Sequence, residues 1–245
     1  MNTQIFTIKK NEMLQPDIFR MVLSGDCRQI SAPGQFVNIR LEGFYLRRPI
    51  SICDWTEDSM TLVYKTVGHG TEALSTLPEG TGLDVLMPLG NGFTLRKDIP
   101  APVLVGGGIG LPPIYGLARA LVKEGLSPKV ICGFNTEKEV ILTEEFRSLG
   151  IDPVITTVDG SVGIRGMVTD ALAEDALGNV PYLYACGPEP MLKALYGICA
   201  DGQFSFEARM ACGFGACMGC SCRTISGYKR ICKDGPVLEK EEILW

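Results

Sequence analysis

A basic stripe, a secretory leader, an internal repeat and a long unbroken apolar run are all missing from this sequence. Its 245 residues carry 23 Lys and Arg against 28 Asp and Glu, a net charge of −5, and no run of cations interleaves with aromatics. That balance excludes nucleic acid as the expected partner and speaks against an anionic membrane surface. Met1 to Asn11 has neither a basic start nor an apolar stretch of leader length. Ala101 to Val122 is nearly uncharged, yet glycines, Pro112 and Pro113 punctuate it and Arg119 interrupts its far end. A buried strand, a glycine turn and a helix explain it better than a membrane span. The expected setting is soluble and cytoplasmic. Apolar residues at 46% and charged residues at 21% exclude disorder, collagen and coiled coil. Histidine is nearly absent too: His69 stands alone in a loop and is assigned no role.

Cysteine is what the sequence does have, ten in all. Cys27, Cys53, Cys132, Cys186 and Cys199 sit singly, whereas Cys212, Cys217, Cys220, Cys222 and Cys232 crowd together near the end. Disulfides staple small secreted domains, and this chain is neither small nor visibly secreted. The crowding asks for a metal or cluster site.

The texture changes twice, which divides the chain into expected units at 1–97, 98–202 and 203–245. The first holds short alternating or β-branched runs, namely Gln4–Ile8, Ile18–Leu23, Gln35–Leu41, Ile50–Cys53, Met60–Thr66 and Leu83–Met87. Turn residues separate them, so they predict an antiparallel barrel or sandwich, with a short helix near Gly70–Leu77. In the second unit, strands at Pro102–Val105, Val130–Phe134, Val154–Val158 and Tyr182–Cys186 alternate with helices at 111–122, Thr143–Leu149, Met167–Asp175 and Pro188–Cys199. That alternation predicts a parallel sheet covered on both faces. Periodicity dissolves after Gly202.

Two strand-to-helix turns in the second unit suit a nucleotide. Gly106, Gly107, Gly108 and Gly110 allow close approach of a phosphate to the backbone and to a helix N-terminus. The pattern departs from G-x-G-x-x-G, because Pro113 stands at the last glycine position. No acidic ribose partner ends the next strand, where Cys132-Gly133-Phe134-Asn135 is found. A tight turn in any α/β protein is the competing reading. Cys186-Gly187-Pro188 repeats the arrangement at the last predicted strand. Its thiol is suited to lie beside a nicotinamide ring or to be a small buried apolar residue.

In the first unit, Arg47 and Arg48 precede a short apolar strand. A guanidinium fork suits phosphate and Ser51 can donate a hydrogen bond, although solvated arginines at a strand start give the same pattern. The most specific spacing is Cys212-x4-Cys217-x2-Cys220 with Cys232 further on. It matches plant-type 2Fe–2S ligation. Small residues between the ligands let the loop turn its N–H groups to the sulfurs. Structural zinc on four thiolates is the alternative. Cys222 is left as a spare thiol.

The order of Arg-x-x-Ser, GGGIGLPP and CGPEPM resembles the ferredoxin–NADP reductase superfamily. The segments Glu207–Gly213 and Tyr228–Val237, with Cys217 and Cys220, look like the electron-transfer subunits of NAD-dependent dihydroorotate dehydrogenase (type B). The resemblance implies an FAD-binding antiparallel barrel, an NAD-binding α/β domain and a small 2Fe–2S domain. By position it implies flavin contacts at Arg48, Pro49, Ile50, Ser51, Val63, Tyr64, Lys65, Gly70 and Thr71. Ile50 departs from the tyrosine common in the superfamily, which removes a ring that would stack on the flavin. The resemblance also implies cluster ligands at Cys212, Cys217, Cys220 and Cys232, and the residues themselves offer no expected acid–base catalyst for a dihydropyrimidine, which fits a transfer role. Further, it implies an FMN-containing catalytic partner that oxidises dihydroorotate to orotate in pyrimidine biosynthesis, in a heterotetramer of two of each. Sulfide dehydrogenases, ferredoxin reductases and bifurcating complexes share much of the pattern and remain open as alternatives. So does a zinc-stabilised binding protein. NAD is favoured over NADP because no arginine cluster follows the second strand of the α/β unit.

Overall fold

A computed structural model describes residues 1–174 and 180–245. β1 (Asn2–Gln15), β2 (Ile18–Ser24), β3 (Phe36–Ile39), β4 (Arg48–Trp55), β5 (Ser59–Lys65) and β6 (Gly82–Leu89) close an antiparallel barrel, in the order β1-β2-β5-β4-β3-β6. Period-two patterning is the reason. In β6 every second residue, Leu83, Val85, Met87 and Leu89, is buried; side chains such as Phe6, Met21, Leu23, Val37 and Leu62 meet the first three inside, and Leu89 packs with Phe36, Cys220 and Cys232. Each such burial contributes roughly 1.5–3 kcal/mol before the entropy of ordering is counted. The short helix α1 (His69–Ser75) follows β5.

The next segment alternates β7 (Val103–Gly107), α2 (Leu111–Lys123), β8 (Lys129–Phe134), α3 (Thr143–Ser148), β9 (Val154–Thr157), β10 (Ile164–Arg165), α4 (Val168–Glu174), β11 (Val180–Cys186), α5 (Glu189–Tyr196) and β12 (Cys199–Ser205). All five residues of β7 are buried, as a strand covered on both faces requires. Pro112 and Pro113 open α2, where missing N–H groups cost little, and Leu111, Ile114, Leu117 and Leu121 bury one stripe of it. At Gly116 this helix meets the barrel: a Cβ there would lie 2.7 Å from the Cys53 carbonyl oxygen. Ile18, Cys53 and Val63 of the barrel share one core with Leu104, Leu117 and Tyr184 of the sheet.

The end of the chain differs from the sequence expectation. β12 runs on to Ser205, across the expected boundary at 202, and Cys199 opens this strand rather than closing the preceding helix. A hairpin of β13 (Ser221–Thr224) and β14 (Gly227–Arg230) follows, and then β15 (Val237–Glu239) returns to the sheet. Among the described residues the sheet order is β10-β9-β8-β7-β11-β12-β15. β15 pairs antiparallel with β12, so the sheet expected to be parallel has an antiparallel edge. The reason it was illegible is length, since three residues carry no period. The predicted helix at Met167–Asp175 corresponds to α4, and Asp175 lies outside the described residues.

Polar ties bind the three regions. Tyr184 Oη donates to the Thr94 carbonyl at 3.0 Å and accepts from the Arg96 N–H at 2.9 Å. Asn91 Nδ2 donates to the Val237 carbonyl at 2.8 Å, and its Oδ1 accepts from the Val237 N–H at 3.1 Å. Among the described residues no helix is long and apolar enough to cross a membrane.

Candidate functional site

The barrel opens at one corner. The first half of β4, Arg48–Ser51, pairs with β3, and its second half pairs with β5 at Leu62, Thr61 and Met60. Val63, Tyr64 and Lys65 pair only with β2 among the described ladders. Between Arg48–Ser51 and Val63–Lys65 the two strands therefore part, and a cleft of about 340 Å³ occupies the gap. Arg48, Pro49, Ile50, Ser51, Val63, Tyr64, Lys65 and Thr71 all line it. Val63 and Tyr64 are nearly fully buried and offer it little side-chain surface.

The two arginines divide. Arg47 is structural: its Nη1 donates to Asp84 Oδ1 at 2.8 Å and to the Asn38 carbonyl at 3.2 Å. Arg48 faces the cleft, with its guanidinium 4.6 Å over the Phe44 ring and a hydrogen bond from Nη1 to the Leu46 carbonyl. Gly70 is set against that guanidinium, which a Cβ would overlap. Thr71 Oγ1 closes the adjoining turn, accepting from the Val67 N–H at 2.9 Å and donating to the Gly68 carbonyl at 3.0 Å. His69 points to solvent, 3.2 Å from Glu72.

The two glycine turns touch each other beside this cleft. A Cβ at Gly110 would overlap the Cys186 carbonyl, and one at Gly187 would stand 3.0 Å from the Gly107 nitrogen. Gly106 is covered by Leu111. Gly106, Gly110 and Gly187 thus serve close packing of the turns. Gly107, Gly108 and Pro188 line a second crevice of about 430 Å³ with Phe134, Asn135, Thr156 and Met191. It lies beyond the carboxyl ends of β7, β8, β9 and β11, the place where open parallel sheets bind ligands. Gly108 has φ +51° with open space where a Cβ would be, as a backbone offered to a phosphate needs.

Cys186 lines the first cleft. Burial, then the charge of Glu207, pushes its thiol up to about 12, so it is neutral and unreactive.

Several lining residues were not found from sequence. Ser205, Phe206, Glu207, Ala208 and Met210 complete the first cleft. They lie at and beyond the carboxyl end of β12, and recognising that parallel strand was the signal that would have placed them. Glu207 is open to solvent but set in a concave wall, and burial raises its carboxyl above the ordinary range. In the second crevice, Glu139 supplies the carboxylate missing from the end of β8. It accepts from Asn135 Nδ2 at 2.8 Å and from Lys65 Nζ at 2.9 Å. Burial works against its ionisation, but Lys65 and Asn135 outweigh that and hold it low. Lys65 and Glu139 therefore link the two clefts.

The cysteine loop lies against the barrel and β15. Three of the four predicted ligand sulfurs accept a backbone N–H: Cys212 from Ala216 at 3.3 Å, Cys217 from Gly219 at 3.4 Å and Cys220 from Cys232 at 3.4 Å. Burial would raise Cys212, but the N–H groups of Phe214, Cys217 and Ala216 and the Cys217 thiol bring it down to about 6. Cys232 is pushed up to about 12, by burial first and then by Cys220. Cys212 bears on Cys217 and Cys220 on Cys232, and Cys212 also acts on Cys232, so the four thiols share one neighbourhood. Among the described residues no three ligating side chains converge on one ion. Four thiols at plant-type 2Fe–2S spacing, three of them receiving a backbone N–H, fit such a cluster. Cys222 is half-buried and packs with Phe206 and Ile231 or Leu238.

Comparison with known proteins agrees with this geometry. Residues 207–244 match the iron–sulfur cluster binding domain of dihydroorotate dehydrogenase B, and residues 104–196 match the oxidoreductase NAD-binding domain. A relative from Fusobacterium nucleatum, a dihydroorotate dehydrogenase B (NAD(+)) electron transfer subunit, is 42% identical, with 94% of each chain covered. One of the same description from Geobacillus sp. is 42% identical over 100% of this chain and 99% of its own length. Among solved structures, an NADH-dependent reduced ferredoxin-NADP oxidoreductase studied for flavin-based electron bifurcation superposes with a TM-score of 0.88. It is 30% identical and covers 100% of this chain and 91% of its own. The cytochrome b5 reductase domain of Ulva prolifera nitrate reductase shares the fold, with a TM-score of 0.64 over 78% of this chain and 89% of its own, at 19% identity. With full-length identity at this level, and both the nucleotide and cluster segments matched, the chain belongs to the family of electron transfer subunits of dihydroorotate dehydrogenase B (NAD(+)).

Proposed function

We propose that this chain carries electrons between NAD and a catalytic partner subunit that oxidises dihydroorotate to orotate in pyrimidine biosynthesis. It holds FAD in the barrel corner, NAD in the crevice beyond β7 to β11, and a 2Fe–2S cluster on Cys212, Cys217, Cys220 and Cys232. When bound, FAD exchanges electron pairs with nicotinamide and single electrons with an iron–sulfur cluster, which is the chemistry such a chain needs between the two. The partner carries FMN, the assembly contains two of each chain, and the setting is the cytoplasm. The units 1–97, 98–202 and 203–245 carry FAD, NAD and the cluster respectively, with β12 shared across the last boundary.

The protein's own work is positioning. Arg48 presents its fork to the FAD diphosphate, and Gly70 leaves it room. Ser51 donates to the flavin, and Pro49, Ile50, Val63, Tyr64 and Thr71 shape the slot. Gly107, Gly108 and Pro188 receive the nicotinamide nucleotide, with Gly106, Gly110 and Gly187 fixing the turns that carry them. Cys186 is a neutral thiol against the flavin cleft, and Glu207 offers a carboxyl at its wall that burial raises above the ordinary range. Among the described residues no side chain in either cleft has the pairing of a base for a carbon acid, and dihydroorotate chemistry is assigned to the partner.

The observation that carries this reading is the meeting of three regions in one cleft. Arg48–Ser51, Cys186 and Glu207 line it together, and five residues after Glu207 comes the first cysteine of the loop. The purified chain should show flavin bands over a broad iron–sulfur absorbance and should oxidise NADH with a dye. Replacing Cys212, Cys217, Cys220 or Cys232 by Ser should each remove iron, whereas Cys222→Ala should keep it. A colourless, zinc-loaded chain would refute the proposal. So would iron retained in any of the four Ser variants and lost in Cys222→Ala.

A further inference from the structure

Strand β3 reads Phe36-Val37-Asn38-Ile39, and all four residues are buried. An amide among three apolar neighbours, only 1% exposed, needs a reason. Half of its hydrogen-bonding capacity is idle, because Oδ1 is buried without a partner. Native interiors seldom keep such a group unless something depends on it.

The working half reaches the cysteine loop. Asn38 Nδ2 donates to the carbonyl oxygen of Cys212 at 3.5 Å, across 174 positions of sequence. The next residue, Gly213, has φ +76°, and a Cβ there would overlap Nδ2. The loop is thus shaped around this amide twice over, by a left-handed backbone and by a missing side chain. Exchanging the amide nitrogen and oxygen would set two acceptors face to face, so the hydrogen-bond pattern fixes the orientation. On its own strand, Asn38 sits in register with Pro49, between Arg48 and Ile50 of the flavin corner. Its carbonyl is held by Arg47, which also grips Asp84.

We propose that Asn38 is a positioning residue for the iron–sulfur cluster, anchoring Cys212 to the strand pair that forms the flavin corner. The inference rests on the reading of Cys212 as a cluster ligand. It makes the barrel the reference frame for the loop, so that the distance between the two cofactor sites is set by a side chain belonging to neither. Ligand orientation by groups outside the ligand set is a general way of tuning bound metal.

The test uses the full chain with its cofactors, in Asn38→Leu and Asn38→Asp variants. Leucine keeps the size and removes the donor, whereas aspartate keeps the shape, removes the donor and adds a negative charge. FAD content, iron and sulfide per chain, rate of iron loss to a chelator and cluster midpoint potential are measured. Both variants should keep FAD and lose iron several-fold faster than the unaltered chain. Asn38→Asp should also lower the midpoint potential, because a carboxylate beside a ligand opposes the added electron. Wild-type iron retention and potential in both variants would overturn the inference, and so would parallel loss of FAD and iron, which would mean that Asn38 merely holds the barrel together. If the buried aspartate prevents folding, the leucine variant decides through iron loss and the shape of the reduced cluster's EPR signal. An unaltered chain that holds no iron would refute the cluster reading before any substitution is made.

Discussion

Replacing Gly70 by alanine should weaken FAD binding while leaving the empty protein at least as stable. Gly70 lies in α1 and has no left-handed φ, so alanine is the better helix former there, by up to about 1 kcal/mol. The methyl group has nowhere to go except onto Arg48: Nε, Cζ and Nη2 are the three atoms nearest to it. A flexible side chain yields before a backbone does, so the guanidinium swings off the Phe44 ring, 4.6 Å below it, and away from its cleft position. A hydrogen bond to a charged group is worth about 1.5–3 kcal/mol. At about 1.4 kcal/mol per tenfold, FAD affinity should fall roughly 10- to 150-fold. Arg48→Ala should fall by a similar factor, and the double variant should fall little further, because both remove one contact. Flavin fluorescence during titration of the empty chain gives the affinity, and thermal unfolding without FAD gives the stability. Unchanged FAD affinity in Arg48→Ala would refute the diphosphate contact. Weak binding in Arg48→Ala with normal binding in Gly70→Ala would refute the steric coupling.

Tyr184→Phe should cost about 1 kcal/mol in thermal or urea unfolding, since it removes the partner of the half-buried Arg96 N–H, while Gln203 Nε2 continues to serve the Thr94 carbonyl at 3.1 Å; stability unchanged within about 0.5 kcal/mol would contradict the clamp. Asp234 is lowered from 3.8 to about 2 by Arg230, whose Nη1 also holds the Gly215 carbonyl at 2.8 Å. A lowered carboxyl contributes stability that is full above its ordinary value and lost as pH falls towards 2. The unfolding temperature of Asp234→Asn should therefore depend less on pH between 3.8 and about 2 than that of the parent, and equal slopes would dismiss the pair.

Much of the site was legible because its chemistry is local in sequence. The alternation in β6, the proline-led apolar stripe of α2 and the cysteine spacing each fit inside one window, and each names its own element. What escaped was non-local. That Arg48–Ser51 and Val63–Lys65 form a cleft follows from β4 changing partners halfway along, which no residue in either segment reveals. Glu207 to Met210 were quoted for their likeness to a family but not placed at the flavin, because β12 ends in Gln203-Phe204-Ser205 with no period to announce a strand. Glu139 reaches its crevice by folding back on Asn135, whereas a search at the end of β8 finds only asparagine. Asn38 is a polar residue inside a short apolar strand, and its partner lies 174 positions away.

The central claim is that electrons pass between the partner and NAD by way of the C-terminal cysteine loop. The direct measurement mixes the chain with an FMN-bearing dihydroorotate-oxidising subunit, dihydroorotate and NAD, and follows formation of NADH. The intact chain should support turnover. Cys232→Ser, purified with FAD but without iron, should still oxidise NADH with a dye while its dihydroorotate-dependent NADH formation collapses. Coupled turnover at the intact chain's rate by that iron-free, FAD-loaded variant would contradict the account.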